Sequence, residues 1–316
     1  MFDMFNEENK DATYSGSTSS SSDSNSEANN VTRNIHNGRG FVISVGGSVF
    51  IGDKPLTEKI SNFCYLLNEL SNEFRFILVV GGGATARNYQ ASAKELGANN
   101  FELDSIGIMS TRLNAMLFSQ KLEKADKNIH TNFDSVKESV DEGRIPIFGG
   151  MSEGQTTDAV GALLAEKLNF EFINLSNVDG IYSDDPNENQ DATMFKELSF
   201  NDMIFLLREK LLIPGQHIFV DPQAASIISR SKINSYFLNG DHLENFKNCL
   251  RNNDYKGTIV HEMTDVIEHE HNAGEFEKIK EGNLSKPVHD EFVDHHFKDD
   301  EEEDEVIDPR KIDFGK

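Results

Sequence analysis

The chain has 316 residues, a formal charge of −24 and 37% hydrophobic residues. That length allows one large domain or two ordinary ones, and the excess of acid argues against a nucleic-acid-binding surface. No apolar run is long enough to span a bilayer, the polar N-terminus does not read as a secretory signal, and Cys64 and Cys249 are widely separated, which fits a reducing cytosol without disulfides.

Residues 1–38 are Ser/Asn/Asp-rich around "SGSTSSSSDSNSEANN". So few apolar groups cannot offset the chain entropy lost on folding, and disorder is expected. The other end is acidic: residues 261–316 hold 19 Asp/Glu against 7 Lys/Arg, a pattern typical of solvated tails. Six histidines also fall there, including His295-His296, but without repeated ligand spacing a solvated tail is the simpler reading.

Between these ends, residues 39–260 alternate short apolar runs with helical patterns. Strands are predicted at Phe41–Val45, Phe76–Val80, Ile145–Phe148, Glu171–Leu175, Ser235–Leu238 and Thr258–Val260. Ile106, Met109, Leu113, Met116 and Leu117 recur at helical spacing, and Thr157 to Leu168 reads as a further helix. Asp221-Pro222 suits an N-cap followed by proline at the first helical position, and Ser199 to Asp202 suits a capping-box variant. This alternation predicts an α/β fold, a three-layer αβα sandwich on a largely parallel central sheet.

Three predicted strands end in glycine turns: Gly46-Gly47-Ser48, Gly81-Gly82-Gly83 and Gly149-Gly150. Each is either a tight turn or a place where a ligand approaches main-chain N–H groups at the carboxyl end of a parallel sheet. Where a helix follows, its free N–H groups and dipole favour an anion. Arg87, about one helical turn past Gly83, is either a surface arginine or a partner for that anion. Gly47 to Lys54 shares the glycine spacing of a P-loop, but Asp53 stands where its lysine belongs; no G-x-G-x-x-G fingerprint is present.

Asp104 is suited equally to capping a helix and to accepting both hydroxyls of a ribose. Thr156 and Thr157, with the helix start behind them, make a second potential anion pocket. Asp158 either complements the helix dipole or, beside a phosphate, positions a cation such as Mg²⁺. Asn177, Asp179-Gly180, Tyr182 and Asp185-Pro186 are ordinary turn residues that would also suit an adenosine.

Taken together, "VGGS", "VVGGGATAR", "DSIGIMSTRLNAM", "GGMSEGQTTDAVGALLAE", "SNVDGIYSDDP" and "VDPQAASIISRSKI" resemble, in order and spacing, the archaeal-type uridylate (UMP) kinases of the amino acid kinase superfamily. The resemblance implies transfer of the γ-phosphoryl group of Mg·ATP to UMP, with Mg²⁺ carried by ATP rather than by protein ligands, and commonly a homohexamer. It implies contact of ATP with Gly47, Ser48, Gly83, Arg87, Ser176, Asn177, Tyr182 and Asp185. It implies contact of UMP with Gly82, Asp104, Met151, Ser152, Glu153, Gly154, Gln155, Thr156 and Thr157. Arg87 and Asp158 carry the catalytic roles in this reading. Many superfamily members have lysine on the first strand where this chain has Ser44, so the cation comes from Lys54, from elsewhere, or is absent. Two other readings stand beside this one: another superfamily kinase of the acetylglutamate or isopentenyl phosphate type, although the histidine typical of the latter's glycine turns is absent near Gly81–Arg87, and a nucleotide-binding storage or regulatory protein without catalysis.

Overall fold

The computed structural model describes residues 38–211 and 218–263. The N-terminal extension up to residue 37, the acidic segment from residue 264 and part of "LLIPGQHIFVDP" lie outside the described residues. The elements run β1 (Gly40–Val45), α1 (Gly47–Phe50), α2 (Thr57–Leu70), β2 (Arg75–Val80), α3 (Gly83–Glu95), α4 (Asn100–Ser119), α5 (Val136–Asp141) and β3 (Ile147–Phe148). Then follow α6 (Thr157–Leu168), β4 (Glu171–Ser176), β5 (Glu197–Ser199), α7 (Phe200–Leu211), α8 (Pro222–Ser231), β6 (Ser235–Asn239), α9 (Leu243–Leu250) and β7 (Thr258–His261). One sheet, ordered β3-β2-β1-β4-β6-β7-β5, is parallel except between β6 and β7.

A parallel sheet covered on both faces needs apolar residues at successive positions, and β1 is buried along its whole length. Alternation then sorts its side chains. Phe41, Ile43 and Val45 of β1, Phe76, Leu78 and Val80 of β2, and Ile173 and Leu175 of β4 join Phe63, Phe118 and Phe246 in one core. The opposite face packs on α6, where Gly161 lets Phe172 approach: a Cβ there would lie 2.8 Å from its ring. Ser44 and Asn174, register partners on β1 and β4, belong to this second face. At the amino ends of the strands, Arg39 grips Glu171 through two hydrogen bonds of 2.7 and 2.8 Å, and the Tyr236 hydroxyl donates to the same carboxylate at 2.7 Å.

The structure departs from the sequence reading at three places. The third strand begins at Ile147, because Pro146 has no N–H to donate and Ile145 donates to the Lys124 carbonyl instead. The short edge strand β5 was not anticipated. Asp104 is not an N-cap: Asn99 caps α4, accepting from the Glu102 N–H at 3.1 Å while Glu102 accepts from the Asn99 N–H at 2.8 Å. The residues read at helical spacing do form a helix, α4, in which Met109, Leu113 and Met116 face outward, 71%, 58% and 53% exposed, whereas Thr111, Asn114, Ala115 and Phe118 point inward.

Candidate active site

The glycine turns meet at the carboxyl ends of β1, β2 and β3. Gly47 and Gly83 pack backbone against backbone: a Cβ on Gly47 would lie 2.1 Å from the Gly83 nitrogen, and one on Gly81 would lie 2.7 Å from the Gly47 nitrogen. Gly83 has φ +55°, a left-handed conformation that glycine adopts without a Cβ penalty. It begins α3, which no side chain caps; the Ala84 N–H is taken by the Ile51 carbonyl at 3.2 Å.

A cavity of about 310 Å³ opens on this turn, lined by Gly82, Gly83, Arg87, Gln90, Asp104, Gly107, Ile108, Thr111, Gly150, Ser152, Gln155, Thr156 and Thr157. It brings together residues that the sequence reading divided between two nucleotides. Gly82, Asp104, Ser152, Gln155, Thr156 and Thr157 were expected around the acceptor, and Gly83 and Arg87 around the donor. Arg87 faces the cavity with no carboxylate paired to it among the described residues.

The three other residues expected around the acceptor, Met151, Glu153 and Gly154, are not among those lining the cavity. The Met151 carbonyl accepts from Arg112, and Glu153 accepts from the Ser105 hydroxyl at 2.7 Å, which holds the Glu153 carboxyl below its usual range. Gly154, at φ +73°, donates its N–H to Asp104 at 2.8 Å. Thr156 caps α6, accepting from the Ala159 N–H at 3.1 Å, and its own O–H remains free to donate toward an anion.

Asp158, two residues further, is absent from the cavity lining and is turned toward the sheet. Ser44 donates to its Oδ1 at 2.5 Å, and Asn174 hydrogen-bonds the same carboxylate. Burial is the largest influence and pushes its pKa up; the Ser44 bond opposes this, Asp221 adds like-charge repulsion, and Asn174 again opposes. Ser44, the position that reads as lysine in many superfamily members, thus commits its hydroxyl to this acid. Lys54 does not come to the cavity; it lines a separate groove with Lys59, Asn62, Gly240 and Asp241.

Beyond the carboxyl ends of β4 and β6 lie the remaining donor-side residues. Ser176 exchanges hydrogen bonds with Val178, donating at 3.2 Å and accepting at 3.3 Å, and Asn177 is exposed. Asp185 folds into an Asx turn, accepting from the Asn187 N–H at 2.9 Å. Tyr182 is hydrogen-bonded to Asp179; burial first, then that acid, raise its pKa. Asp179 itself accepts from Asn239 at 3.0 Å and pairs with Lys256 at 2.6 Å. Burial pushes its pKa up, but those bonds outweigh it and the net shift is downward.

Several of these groups escaped sequence reasoning: Asn174, Asp221 as a neighbour of Asp158, Asn239, Lys256, and the inward polar pair Thr111 and Asn114. The last left little signal, because Ser110 and Arg112 are polar neighbours in the same helix.

The chain matches the model of the amino acid kinase family over residues 39–239. It is 39% identical over 199 residues to a uridylate kinase of Pyrococcus abyssi, spanning 62% of this chain and 88% of that one. It is 37% identical over 220 residues to a uridylate kinase of Archaeoglobus fulgidus, spanning 69% and 98%. The crystal structure of uridylate kinase from Archaeoglobus fulgidus superposes with a TM-score of 0.63 at 38% identity, over 70% of this chain and 99% of that one. A UMP kinase structure from Ureaplasma parvum, 22% identical with a TM-score of 0.61, shares the fold. With the glycine turns, the parallel sheet and these relatives in agreement, the chain belongs to the amino acid kinase family, on its uridylate kinase branch.

Proposed function

We propose that this chain is a UMP kinase, a phosphotransferase that moves the γ-phosphoryl group of ATP onto the phosphate of UMP, giving UDP and ADP. One observation carries the reading: the cavity in which Gly82, Gly83, Arg87, Asp104, Thr156 and Thr157 converge, beside the contact of Gly83 with Gly47. A single peptide segment thus borders both the acceptor cavity and the first-strand turn.

Donor and acceptor are both anions, so the barrier is chiefly repulsion and alignment, and positive field counts more than covalent chemistry. On this reading the UMP phosphate lies against the start of α3 with Arg87 over it, and the Thr156 and Thr157 end of α6 faces the same group. Asp104, already oriented by the Gly154 N–H, accepts the ribose hydroxyls. Ser152 to Gln155 close over the nucleoside. Gly47, Ser48 and Gly83 hold the ATP phosphates, and Ser176, Asn177, Tyr182 and Asp185 bound its nucleoside. No general base is required, because the attacking phosphate oxygen is already ionised. Asp158, tethered beneath both turns, is proposed to fix the start of α6 relative to β1.

Mg²⁺ is expected to arrive with ATP and to neutralise charge on its phosphates. Among the described residues no group of three or more His, Cys, Asp or Glu could hold a metal ion. The outward stripe of α4 supports a homo-oligomer, in which a second copy covers Met109, Leu113 and Met116; a hexamer is the expected assembly. Among the described residues no helix is long and apolar enough to cross a membrane.

A coupled assay of ADP release across nucleoside monophosphates tests the reading. It predicts turnover that requires both UMP and Mg²⁺. ATP binding without turnover, or turnover with an acid or isoprenoid phosphate in place of UMP, would refute it.

A further inference from the structure

Arg112 and Asn114 of α4 line no part of the cavity, yet both reach the turns that do. Asn114, 2% exposed, donates through Nδ2 to the Gly81 carbonyl at 3.0 Å and the Gly82 carbonyl at 2.9 Å. Arg112 repeats the arrangement at the other turn, Nε to the Gly150 carbonyl at 3.1 Å and Nη2 to the Met151 carbonyl at 3.4 Å. Between them Thr111 accepts the Gly150 N–H at 2.6 Å and donates to the Ile108 carbonyl at 2.6 Å.

In a trans peptide the C=O and the following N–H point in opposite directions. Carbonyls drawn toward α4 therefore turn the N–H groups of Gly82, Gly83, Met151 and Ser152 away from those two side chains. Three of these four residues line the cavity. Glycine peptides rotate easily when nothing holds them, and a donor assists phosphoryl transfer only if it is oriented beforehand. The side chains doing the holding are themselves committed: the Asn114 Oδ1 accepts from the Thr85 hydroxyl at 3.4 Å.

We propose that Asn114, Arg112 and Thr111 are positioning residues for phosphoryl transfer, clamping two glycine turns so that the peptide N–H groups of Gly82, Gly83 and Ser152 face substrate phosphate. The identity of the phosphates rests on the UMP kinase reading; the direction of the N–H groups rests on the hydrogen bonds alone.

The test compares ligands with and without phosphate, by calorimetry on the full chain: UMP against uridine, and ADP against adenosine. Asn114→Ala is expected to weaken UMP about 10- to 100-fold, less than the roughly 100- to 1,000-fold in kcat lost on deleting an oriented donor outright, because the N–H groups remain and only their orientation is freed, with uridine held to within about threefold. Its kcat should fall as well. Thr111→Val should lose phosphate affinity in the same way, and Thr111→Ser, which keeps the hydroxyl, should behave as wild type; this pair decides the matter if Asn114→Ala does not fold. Equal weakening of UMP and uridine would mean a merely structural role, and no weakening would mean no clamp; either overturns the proposal. Should wild type release no ADP with UMP, the kinase reading fails, but the ADP-to-adenosine ratio still decides whether the clamp orients phosphate donors.

Discussion

Gly47 and Gly83 touch main chain to main chain, with no room for a side chain between them: a methyl group on Gly47 would sit 2.1 Å from the Gly83 nitrogen. The glycines therefore serve packing between turns as well as access for a ligand. Gly47→Ala is expected to cost about 1–3 kcal/mol by overpacking and to lower kcat further by separating the turns. Denaturant unfolding and steady-state rates on the same preparation check this; wild-type stability would show that the turns do not meet as described.

Arg87 faces the cavity unpaired among the described residues. Arg87→Ala is expected to lower kcat/KM for UMP by about 100-fold or more, as for loss of a donor to developing charge. Arg87→Lys should recover part of this, since a point charge replaces a planar fork. A near-normal rate for Arg87→Ala would remove it from the site.

Asp158 supplies a prediction with opposite signs for stability and activity. Its folded-state pKa is raised, burial being the main cause, so its ionised form is a liability above that pKa. Asp158→Asn should therefore raise Tm at neutral pH, by about 2–4 °C for each kcal/mol relieved, while lowering kcat about 100-fold. The Tm gap between variant and wild type should be widest above the folded pKa and should close as pH falls through it, because wild type then protonates too. A variant less stable than wild type at pH 7 contradicts this account of the site.

The α4 stripe tests assembly. Leu113→Glu places charge in the middle of a face that is apolar and exposed, and should shift sedimentation toward smaller species with little change in monomer folding. An unchanged sedimentation profile would show that this face is not where copies of the chain meet.

Most of the architecture was legible because its causes are local. Continuous apolar runs such as Phe76–Val80 mark strands buried on both faces, and Asp221-Pro222 starts α8 as its chemistry suggests, with Asp221 accepting from the Ala224 N–H at 2.9 Å. What the sequence hid depends on partners far along the chain. Met109, Leu113 and Met116 mark a helix by their spacing, but only the packing of α4 on β2 and β3 reveals that the core takes Phe118 and Ala115. Asp104 looks like a cap until Asn99 and Glu102 are seen to form one. Ser44 reads as a missing lysine until Asp158, 114 residues away, is found at hydrogen-bond distance. The roles of Arg112 and Asn114 are main-chain contacts, which leave no pattern in composition or periodicity.

The most direct measurement is a crystal structure of the full chain with ADP and UMP bound together. The account predicts the UMP phosphate in the cavity between Arg87 and the start of α3, with the ADP phosphates across Gly83 beside Gly47. Nucleotides seated in the Lys54–Lys59 groove, or phosphates out of reach of the Gly82 and Gly83 N–H groups, would contradict it.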